Sequence, residues 1–343
     1  MTSKKILILR FSSFGDIIQT LATVDVLHEH KFKIDYFTKS EFKHCIEYHP
    51  NIQNKYYFSK KNSFFSELKK FRSIIKENNY DVIYDAHNNI RTHLLKLMTL
   101  DLRLLLNLKN KKVSWICRPK YRFKRLLYFK FKKRDVFQNP MIAAESFLRP
   151  LIENKVLRNS SISKELNQHY IQNILNSETQ KNINLNKPFV VLAPSAAWPL
   201  KRWPTEYYQQ LIQLKPNNNF VILGGPDDDF AKQIQGDNVL NLVGELNWVQ
   251  TGQVIAQCHA LVAADTGVLH WSDYMGRPTI GILGPTAFGQ PFRTSTTVLN
   301  KKLACSPCSK DGRGHCKIPE TQKCLKDITP QQVSDLLDKI SPI

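Results

Sequence analysis

The first half of the chain alternates short apolar runs with segments whose apolar residues recur at helical spacing. The run at 5–11 leads into a helical pattern at 17–27, and 66–77 predicts a second helix. Further strands are predicted at 33–39, 56–59 and 81–85. Strands that alternate with helices predict a parallel sheet with helices on both faces.

The second half repeats this alternation after a polar segment at 176–187, which we interpret as a linker. Strands are predicted at 188–195, 219–224, 239–243, 260–264 and 279–283. Helices are predicted at 140–153, 162–175, 205–214, 248–258 and 330–340. We therefore expect two α/β domains, at 1–175 and 188–328, followed by a C-terminal helix at 329–343. A ligand is expected in the cleft between the two domains.

The stretch 260–285 reads as a strand, a turn, a helix and another strand. Its turn, Asp265-Thr266-Gly267, follows the carboxyl end of a buried strand, where the next helix presents unpaired N–H groups. Phosphate groups bind readily at such a position, and His270 lies four residues after Thr266 on the same helix face. The alternative is an ordinary Asp/Thr N-cap followed by a buried histidine.

The chain carries a large excess of basic over acidic residues. The 343 residues include 49 Lys and Arg against 29 Asp and Glu, a formal net charge of +20, which indicates an anionic partner. The densest positive stretch is 103–134, in which aromatic residues are interspersed among the basic ones. Nucleic acid is the weakest candidate partner, because no nucleic-acid-binding motif accompanies the charge. An anionic membrane surface and an acidic glycolipid fit better.

The chain contains no apolar stretch of about 18 residues and no apolar segment typical of a secretory signal. We therefore expect a cytoplasmic protein, and the basic stretch at 103–134 predicts at most a peripheral contact with the anionic surface of the inner membrane.

A second candidate loop, at 10–16, has the sequence Arg10-Phe-Ser-Ser-Phe-Gly-Asp16. Neither loop matches a dinucleotide-binding GxGxxG motif or a Walker loop. Together with the stretches 194–204 and 224–226, the two loops resemble the bacterial heptosyltransferases of lipopolysaccharide core synthesis, glycosyltransferase family nine. The resemblance implies a glycosyltransferase-B fold, with two Rossmann-like domains facing across a cleft. It also implies inverting, metal-independent transfer of a heptose from ADP-heptose to a lipid A–Kdo or heptose acceptor of the inner core.

The resemblance also implies roles for individual residues. Asp16 matches the proposed catalytic base, and its alternative role is that of a first-turn acid favoured by the helix dipole. Lys201 matches a lysine that contacts the diphosphate of the nucleotide sugar. The residues matching the family's donor-binding motif are Asp265, Thr266, Gly267 and His270. The residues that shape the first loop are Ser12, Ser13 and Gly15.

Asp85 ends the strand at 81–85, and His87, Asn88 and Arg91 follow it; Asn88 and Arg91 are candidate contacts to the acceptor. Solvated polar residues after a strand are the simpler alternative.

Four late cysteines, Cys305, Cys308, Cys316 and Cys324, have a spacing compatible with a structural zinc ion. A structural feature of the family that holds no metal is equally compatible. No cofactor is expected for catalysis.

Three alternative functions share these features. The first is a relative that uses another nucleotide sugar or acceptor, and the second is an epimerase or hydrolase of nucleotide sugars on the same fold. The third is a non-catalytic protein that binds an anionic glycolipid. Asp16 and Lys201 together argue against the third, because a binding protein needs neither a base nor a lysine on a leaving group.

Overall fold

The computed structural model describes residues 3–59, 61–105, 113–137, 141–178, 185, 187–286 and 288–340. Most of the predicted linker at 176–187 lies outside these residues, as do Lys109, Lys111 and Lys112 of the basic stretch. The chain forms two compact units. Unit 1 comprises Met1–Tyr121 and Ala144–Glu165, and unit 2 comprises Arg122–Ala143 and Leu166–Ile343. The domain boundaries expected above stay a prediction.

The secondary structure follows the predicted alternation of strands and helices. The strands are β1 (Lys5–Leu9), β2 (Lys33–Lys39), β3 (Asn54–Phe58), β4 (Val82–Asp85), β5 (Ser114–Cys117), β6 (Met141–Ile142), β7 (Phe189–Ala193), β8 (Asn219–Ile222), β9 (Val239–Asn241), β10 (Ala260–Ala264), β11 (Thr279–Ile282), β12 (Phe288–Gln290) and β13 (Thr296–Leu299). The helices are α1 (Phe14–Glu29), α2 (Lys43–Glu47), α3 (Phe64–Asn78), α4 (Ile90–Leu105), α5 (Arg122–Lys130), α6 (Ala143–Glu153), α7 (Gln168–Leu175), α8 (Thr205–Leu214), α9 (Asp229–Lys232), α10 (Trp248–Gln257), α11 (Gly267–Tyr274), α12 (Lys323–Lys326) and α13 (Pro330–Ile340).

Unit 1 is built on a sheet with the strand order β3-β2-β1-β4-β5, in which every neighbouring pair is parallel. Its central strand β1 is apolar because both faces of a parallel sheet are covered by helices. The rings of Phe37 and Phe71 stack 5.8 Å apart in the core between the sheet and α3. Since β1 and β4 are parallel neighbours, with Leu9 opposite Asp85, the loops after them emerge at the same edge of the sheet.

Unit 2 is built on a parallel sheet with the strand order β13-β11-β10-β7-β8-β9, and β6 and β12 form a separate parallel pair. The neighbours β7 and β10 are buried along their whole length. Because they pair in parallel, their carboxyl ends also meet at one edge of the sheet. Trp203 fills the core beneath α8, and its indole N–H donates a hydrogen bond of 2.8 Å to the carbonyl of Ile328. The predicted α/β class, with two parallel sheets, is confirmed.

Several predicted boundaries are wrong for local reasons. Helix α7 begins at Gln168 rather than at 162, because the side chain of Asn167 accepts a hydrogen bond from the N–H of Tyr170 and caps the helix there. The predicted helix at 140–153 begins instead at Ala143, after the short strand β6. The basic stretch contains β5 and α5, which no apolar pattern indicated. Within the described part of the chain, no helix has both the length and the apolar character of a membrane span.

Candidate active site

The loop between β1 and α1 carries the first group of candidate residues. Ser13 is the N-cap of α1, and Asp16 lies three residues later. The Asp16 carboxylate accepts hydrogen bonds from the hydroxyl of Ser13 at 2.9 Å and from its N–H at 3.3 Å. Asp16 therefore has the capping contacts expected of a first-turn acid. Its side chain nevertheless keeps 36% of its surface exposed, so a ligand has access to it.

Two arginines set the charge around Asp16. The buried guanidinium of Arg10 pairs with Asp16 and donates a second hydrogen bond of 2.6 Å to the carbonyl of Ala86. Arg118 is held over the ring of Phe147, with 4.0 Å from its guanidinium carbon to the ring centroid. Burial raises the pKa of Asp16, but Arg10, Arg118 and the Ser13 hydrogen bonds outweigh that effect and lower it to about 2. Asp16 is thus a carboxylate at every physiological pH and, with both arginines beside it, a weak base.

His87 follows β4 and lies at the same sheet edge as Asp16. Its ring is 5.6 Å from that of Phe11, and its Nδ1 is buried without a hydrogen-bond partner in the described part of the chain. Burial and the positive charge of Arg10 lower the pKa of His87 to about 4, although Asp16 acts in the opposite direction. The ring is therefore neutral at pH 7. Such a ring suits a ligand hydroxyl, which can either donate or accept a hydrogen bond at Nδ1.

The other residues after β4 mainly shape the turn. The buried carboxylate of Asp85 accepts hydrogen bonds from the N–H groups of His87 at 3.1 Å and Asn88 at 2.6 Å. The Asn88 amide donates to the carbonyl of Arg118 at 2.6 Å, which ties this turn to the segment that carries Arg118. The guanidinium of Arg91 lies 4.5 Å from the ring centroid of Phe58. Contact of Asn88 and Arg91 with an acceptor stays a prediction.

In unit 2, Asp265 is the centre of a compact polar cluster at the end of β10. Its Oδ2 is 2.8 Å from the ammonium nitrogen of Lys201 and accepts a hydrogen bond of 2.6 Å from the hydroxyl of Thr286. Nε2 of His270 lies 3.8 Å from the other carboxylate oxygen. The side chains of Lys201, Asp265 and His270 are 15%, 9% and 8% exposed, so the charges of Lys201 and Asp265 interact with little solvent screening. Lys201 and Asp265, far apart in sequence, thus form one site.

Two hydroxyl groups lie at the same edge of this sheet without a hydrogen-bond partner among the described residues. Thr266 Oγ1 caps no N–H group of α11, and Ser195 Oγ lies just beyond β7, the strand that pairs with β10. Both atoms are buried. Buried hydroxyls that make no internal hydrogen bond are well suited to a ligand oxygen. Sequence reasoning missed Ser195, although its position directly after an apolar strand was a usable signal.

Arg202, the neighbour of Lys201, is directed elsewhere. Its Nε donates a hydrogen bond of 3.0 Å to the carbonyl of Ala196, and its guanidinium carbon is 4.2 Å from the ring centroid of Phe230. Lys201, by contrast, lies at the end of the 3₁₀ turn Pro199–Lys201 and reaches Asp265. The two adjacent cations therefore have separate surroundings, and only Lys201 joins the Asp265 cluster.

The four late cysteines line one small cavity together with Leu200 and Pro285. Burial, and next the neighbouring Cys308, raises the pKa of the Cys324 thiol to about 11. A hydrogen bond donated by the main-chain N–H of Ile318 lowers the pKa of the Cys316 thiol. Among the residues that the structure describes, no three His, Cys, Asp or Glu side chains are arranged to hold a metal ion. The described residues thus form no ready metal site, and zinc binding by the four cysteines stays a prediction.

Comparison with known proteins gives these clusters a context. The model of glycosyltransferase family 9 (heptosyltransferase) matches residues 68–317. Lipooligosaccharide heptosyltransferase 2 of Haemophilus influenzae is 24% identical over 180 residues, which cover 48% of this chain and 50% of that protein. Lipopolysaccharide heptosyltransferase 1 of Escherichia coli is 23% identical over 301 residues, covering 82% of this chain and 88% of that protein. The chain thus spans about half the length of the first relative and most of the second.

Solved structures share the fold over nearly the whole chain. ADP-heptose lipopolysaccharide heptosyltransferase II of Escherichia coli superposes with a TM-score of 0.68 at 18% identity, covering 98% of both chains. Escherichia coli heptosyltransferase WaaC with ADP gives a TM-score of 0.67 at 16% identity, covering 98% of this chain and 100% of that one. These similarities establish the glycosyltransferase-B fold.

Proposed function

We propose a function for this chain from the family to which it belongs, glycosyltransferase family 9 (heptosyltransferase): it transfers a heptose from ADP-heptose to an inner-core acceptor of lipopolysaccharide. The observation that carries this proposal is that the Lys201–Asp265 ion pair and the unpartnered hydroxyls of Thr266 and Ser195 lie at one edge of the unit 2 sheet. A cation, unpartnered hydroxyls and the N-terminus of α11 are together suited to bind a diphosphate.

In the proposed reaction, unit 2 binds the nucleotide sugar. The Lys201 ammonium leaves or shares its ion pair with Asp265 to contact the diphosphate, and the hydroxyls of Ser195 and Thr266 donate to phosphate oxygens. Asp265, relieved of part of this pairing, accepts hydrogen bonds from sugar hydroxyls. Lys201 then stabilises the negative charge that builds up on ADP as it departs.

Unit 1 supplies the acceptor side of the proposal. Arg10 and Arg118 place two positive charges beside Asp16, which suits an acceptor that carries carboxylates or phosphates. When such an anion pairs with the arginines, their effect on Asp16 weakens and its pKa rises. Asp16 thereby becomes a better base when the acceptor is bound.

The chemical step is a single displacement. Asp16 takes the proton of the acceptor hydroxyl, and the oxygen forms a bond to the anomeric carbon of the heptose as the bond from that carbon to the ADP oxygen breaks. The products are the glycosylated acceptor with inverted anomeric configuration, ADP and the proton held on Asp16. No step requires a metal ion, because Lys201 supplies positive charge to the leaving group.

Helix α5 and the residues that follow it, up to Lys133, support a peripheral contact with an anionic membrane surface. Phe123, Leu126 and Phe131 are 71%, 48% and 57% exposed, and Lys124, Lys130 and Lys133 lie exposed beside them. Aromatic rings settle at the membrane interface, and each nearby basic residue contributes about 1 kcal/mol of attraction to anionic lipid. We infer that this face brings the protein to the lipid-bound acceptor on the cytoplasmic side of the inner membrane.

The test is incubation of the protein with a panel of nucleotide sugars and short-core lipopolysaccharides, with and without EDTA, followed by mass measurement of the products. The expected result is addition of one heptose from ADP-heptose, unchanged by EDTA. Transfer of a different sugar would show that the donor is another nucleotide sugar. Release of free heptose without acceptor would identify a hydrolase. Conversion of the nucleotide sugar to an epimer would identify an epimerase. Absence of any product would favour a binding protein.

A further inference from the structure

The turn that carries Lys201 is held by a segment more than a hundred residues away in sequence, which we call the cysteine segment (residues 305–324). The side-chain amide of Gln322 donates hydrogen bonds to the carbonyls of Pro199 at 2.8 Å and Arg202 at 3.1 Å. These two carbonyls flank Lys201, so one side chain bridges both ends of its turn. Leu200, inside the same turn, lines the cavity that the four cysteines surround.

Gly312, also in the cysteine segment, lies against the side chain of Lys201 itself. A Cβ atom on Gly312 would be 2.5 Å from Cγ of Lys201 and 2.8 Å from its Cδ, which is too close for any real contact. The next residue, Arg313, has its guanidinium carbon 4.7 Å from the ring centroid of Trp198, at the start of the same turn. Gly312 therefore leaves room for the aliphatic part of Lys201 and bounds it on one side.

We propose that the cysteine segment is a positioning element for Lys201, in which Gln322 holds the turn and Gly312 holds the side chain in the direction of the diphosphate. The inference rests on the proposed function, since it assigns the segment to the same nucleotide-sugar site. A lysine side chain is flexible, and a ligand that must order it binds more weakly than one that finds it ordered. The packing at Gly312 and the ion pair with Asp265 provide that order before the ligand arrives.

The chain offers a matched pair of variants to test this. Gly312 and Gly314 both have a positive φ, +88° and +91°, but a Cβ on Gly314 meets nothing within 4 Å. Gly312→Ala and Gly314→Ala thus introduce similar backbone strain, and only the first displaces Lys201. We expect Gly312→Ala to weaken ADP binding in calorimetry about tenfold, the size of one lost hydrogen bond to a charged group. Gly314→Ala should bind ADP like the wild type, and adenosine affinity should be unchanged in both.

A double-mutant cycle separates positioning from general damage. If Gly312 acts through Lys201, Gly312→Ala should have no further effect on ADP affinity once Lys201 is already alanine. If Gly312→Ala weakened ADP binding as much in the Lys201→Ala protein as in the wild type, the inference would be overturned. Gln322→Ala should also weaken ADP binding, whereas Gln331→Ala, which removes an exposed amide bonded only to Asp335 in the described structure, should not.

The outcomes distinguish this inference from the proposed function. A wild-type protein that binds neither ADP nor ADP-heptose would refute the proposed function. A wild-type protein that binds ADP, with equal affinities in Gly312→Ala and Gly314→Ala, would refute only the positioning role. Thermal melting of both variants measures the effect of backbone strain on stability separately from ADP binding. The inference would be supported if both variants melted at a similarly lower temperature while only Gly312→Ala lost ADP affinity.

Discussion

The ammonium of Lys201 lies 2.8 Å from the carboxylate of Asp265. Lys201 belongs to the turn that follows β7 and Asp265 directly follows β10, and these two strands are neighbours in the sheet although they are remote in sequence. The pair is nearly buried, so the attraction between the two charges offsets the free-energy cost of removing each of them from water. A diphosphate that takes over Lys201 therefore changes the surroundings of Asp265 at the same time. This coupling makes the pair a direct target for mutation.

Lys201→Ala should weaken binding of ADP and of ADP-heptose together, by about tenfold or more, because the lysine contact is with the diphosphate that both share. Isothermal calorimetry measures both affinities. Arg202→Ala is the matched control, since Arg202 points to Ala196 and Phe230 instead. An unchanged ADP affinity in Lys201→Ala would exclude this lysine from the site.

Asp16→Asn should lower turnover on the order of a hundredfold or more, because a positioned base contributes about that much. The asparagine keeps hydrogen-bonding capacity next to the buried Arg10, whereas Asp16→Ala leaves that charge without its partner and also costs stability. Steady-state kinetics and thermal melting distinguish the two effects. Turnover within a few-fold of the wild type, in a folded variant, would remove Asp16 from the mechanism.

His87 should make stability depend on pH on the acid side. Its folded pKa is about 4, below the ordinary value of 6.5, so the unfolded chain binds the proton first as pH falls between these values. Stability from this group is complete above about pH 6.5 and is lost toward pH 4, by about 1–2 kcal/mol after allowance for solvent screening.

Urea unfolding of His87→Gln should therefore show a smaller loss of stability between pH 6.5 and 4 than the wild type. The exposed His259 provides the control, and His259→Gln should follow the wild-type curve. A parallel curve for His87→Gln would mean that the imidazole is not held neutral in the fold.

Helix α5 should bring the protein to anionic but not to neutral liposomes. Replacing Lys124, Lys130 and Lys133 by Gln should reduce cosedimentation and raise the KM for the lipid acceptor while sparing that for ADP-heptose. Added salt should release the wild type, since charges are screened beyond about 8–10 Å at physiological ionic strength. The same charge change at the exposed Lys232, Lys326 and Lys339 is the control. If the wild type bound neutral and anionic liposomes equally well, α5 would be an ordinary solvent-exposed helix with no role in membrane binding.

Local patterns in the sequence determined the fold class and part of the candidate site. The alternation of apolar runs with helical spacing predicted two parallel sheets, because strands buried on both faces must be apolar along their length. The loops at 10–16 and 265–267 were recognisable since they directly follow such strands. The roles of Asp16, Lys201 and Asp265 stay proposals, but the positions of Asp16 and Asp265 shortly after apolar strands could be predicted from the sequence alone.

The surroundings of these residues depend on contacts between segments that are distant in the sequence. The low pKa of Asp16 depends first on Arg10 and next on Arg118, which is more than a hundred residues away in sequence. The hydroxyls of Ser195 and Thr266 lie at one edge of the sheet only because β7 and β10 pair. The packing of Gly312 against Lys201 likewise joins segments that have no shared local pattern. A sequence displays spacing along the chain, whereas pKa values and side-chain positions depend on contacts through space.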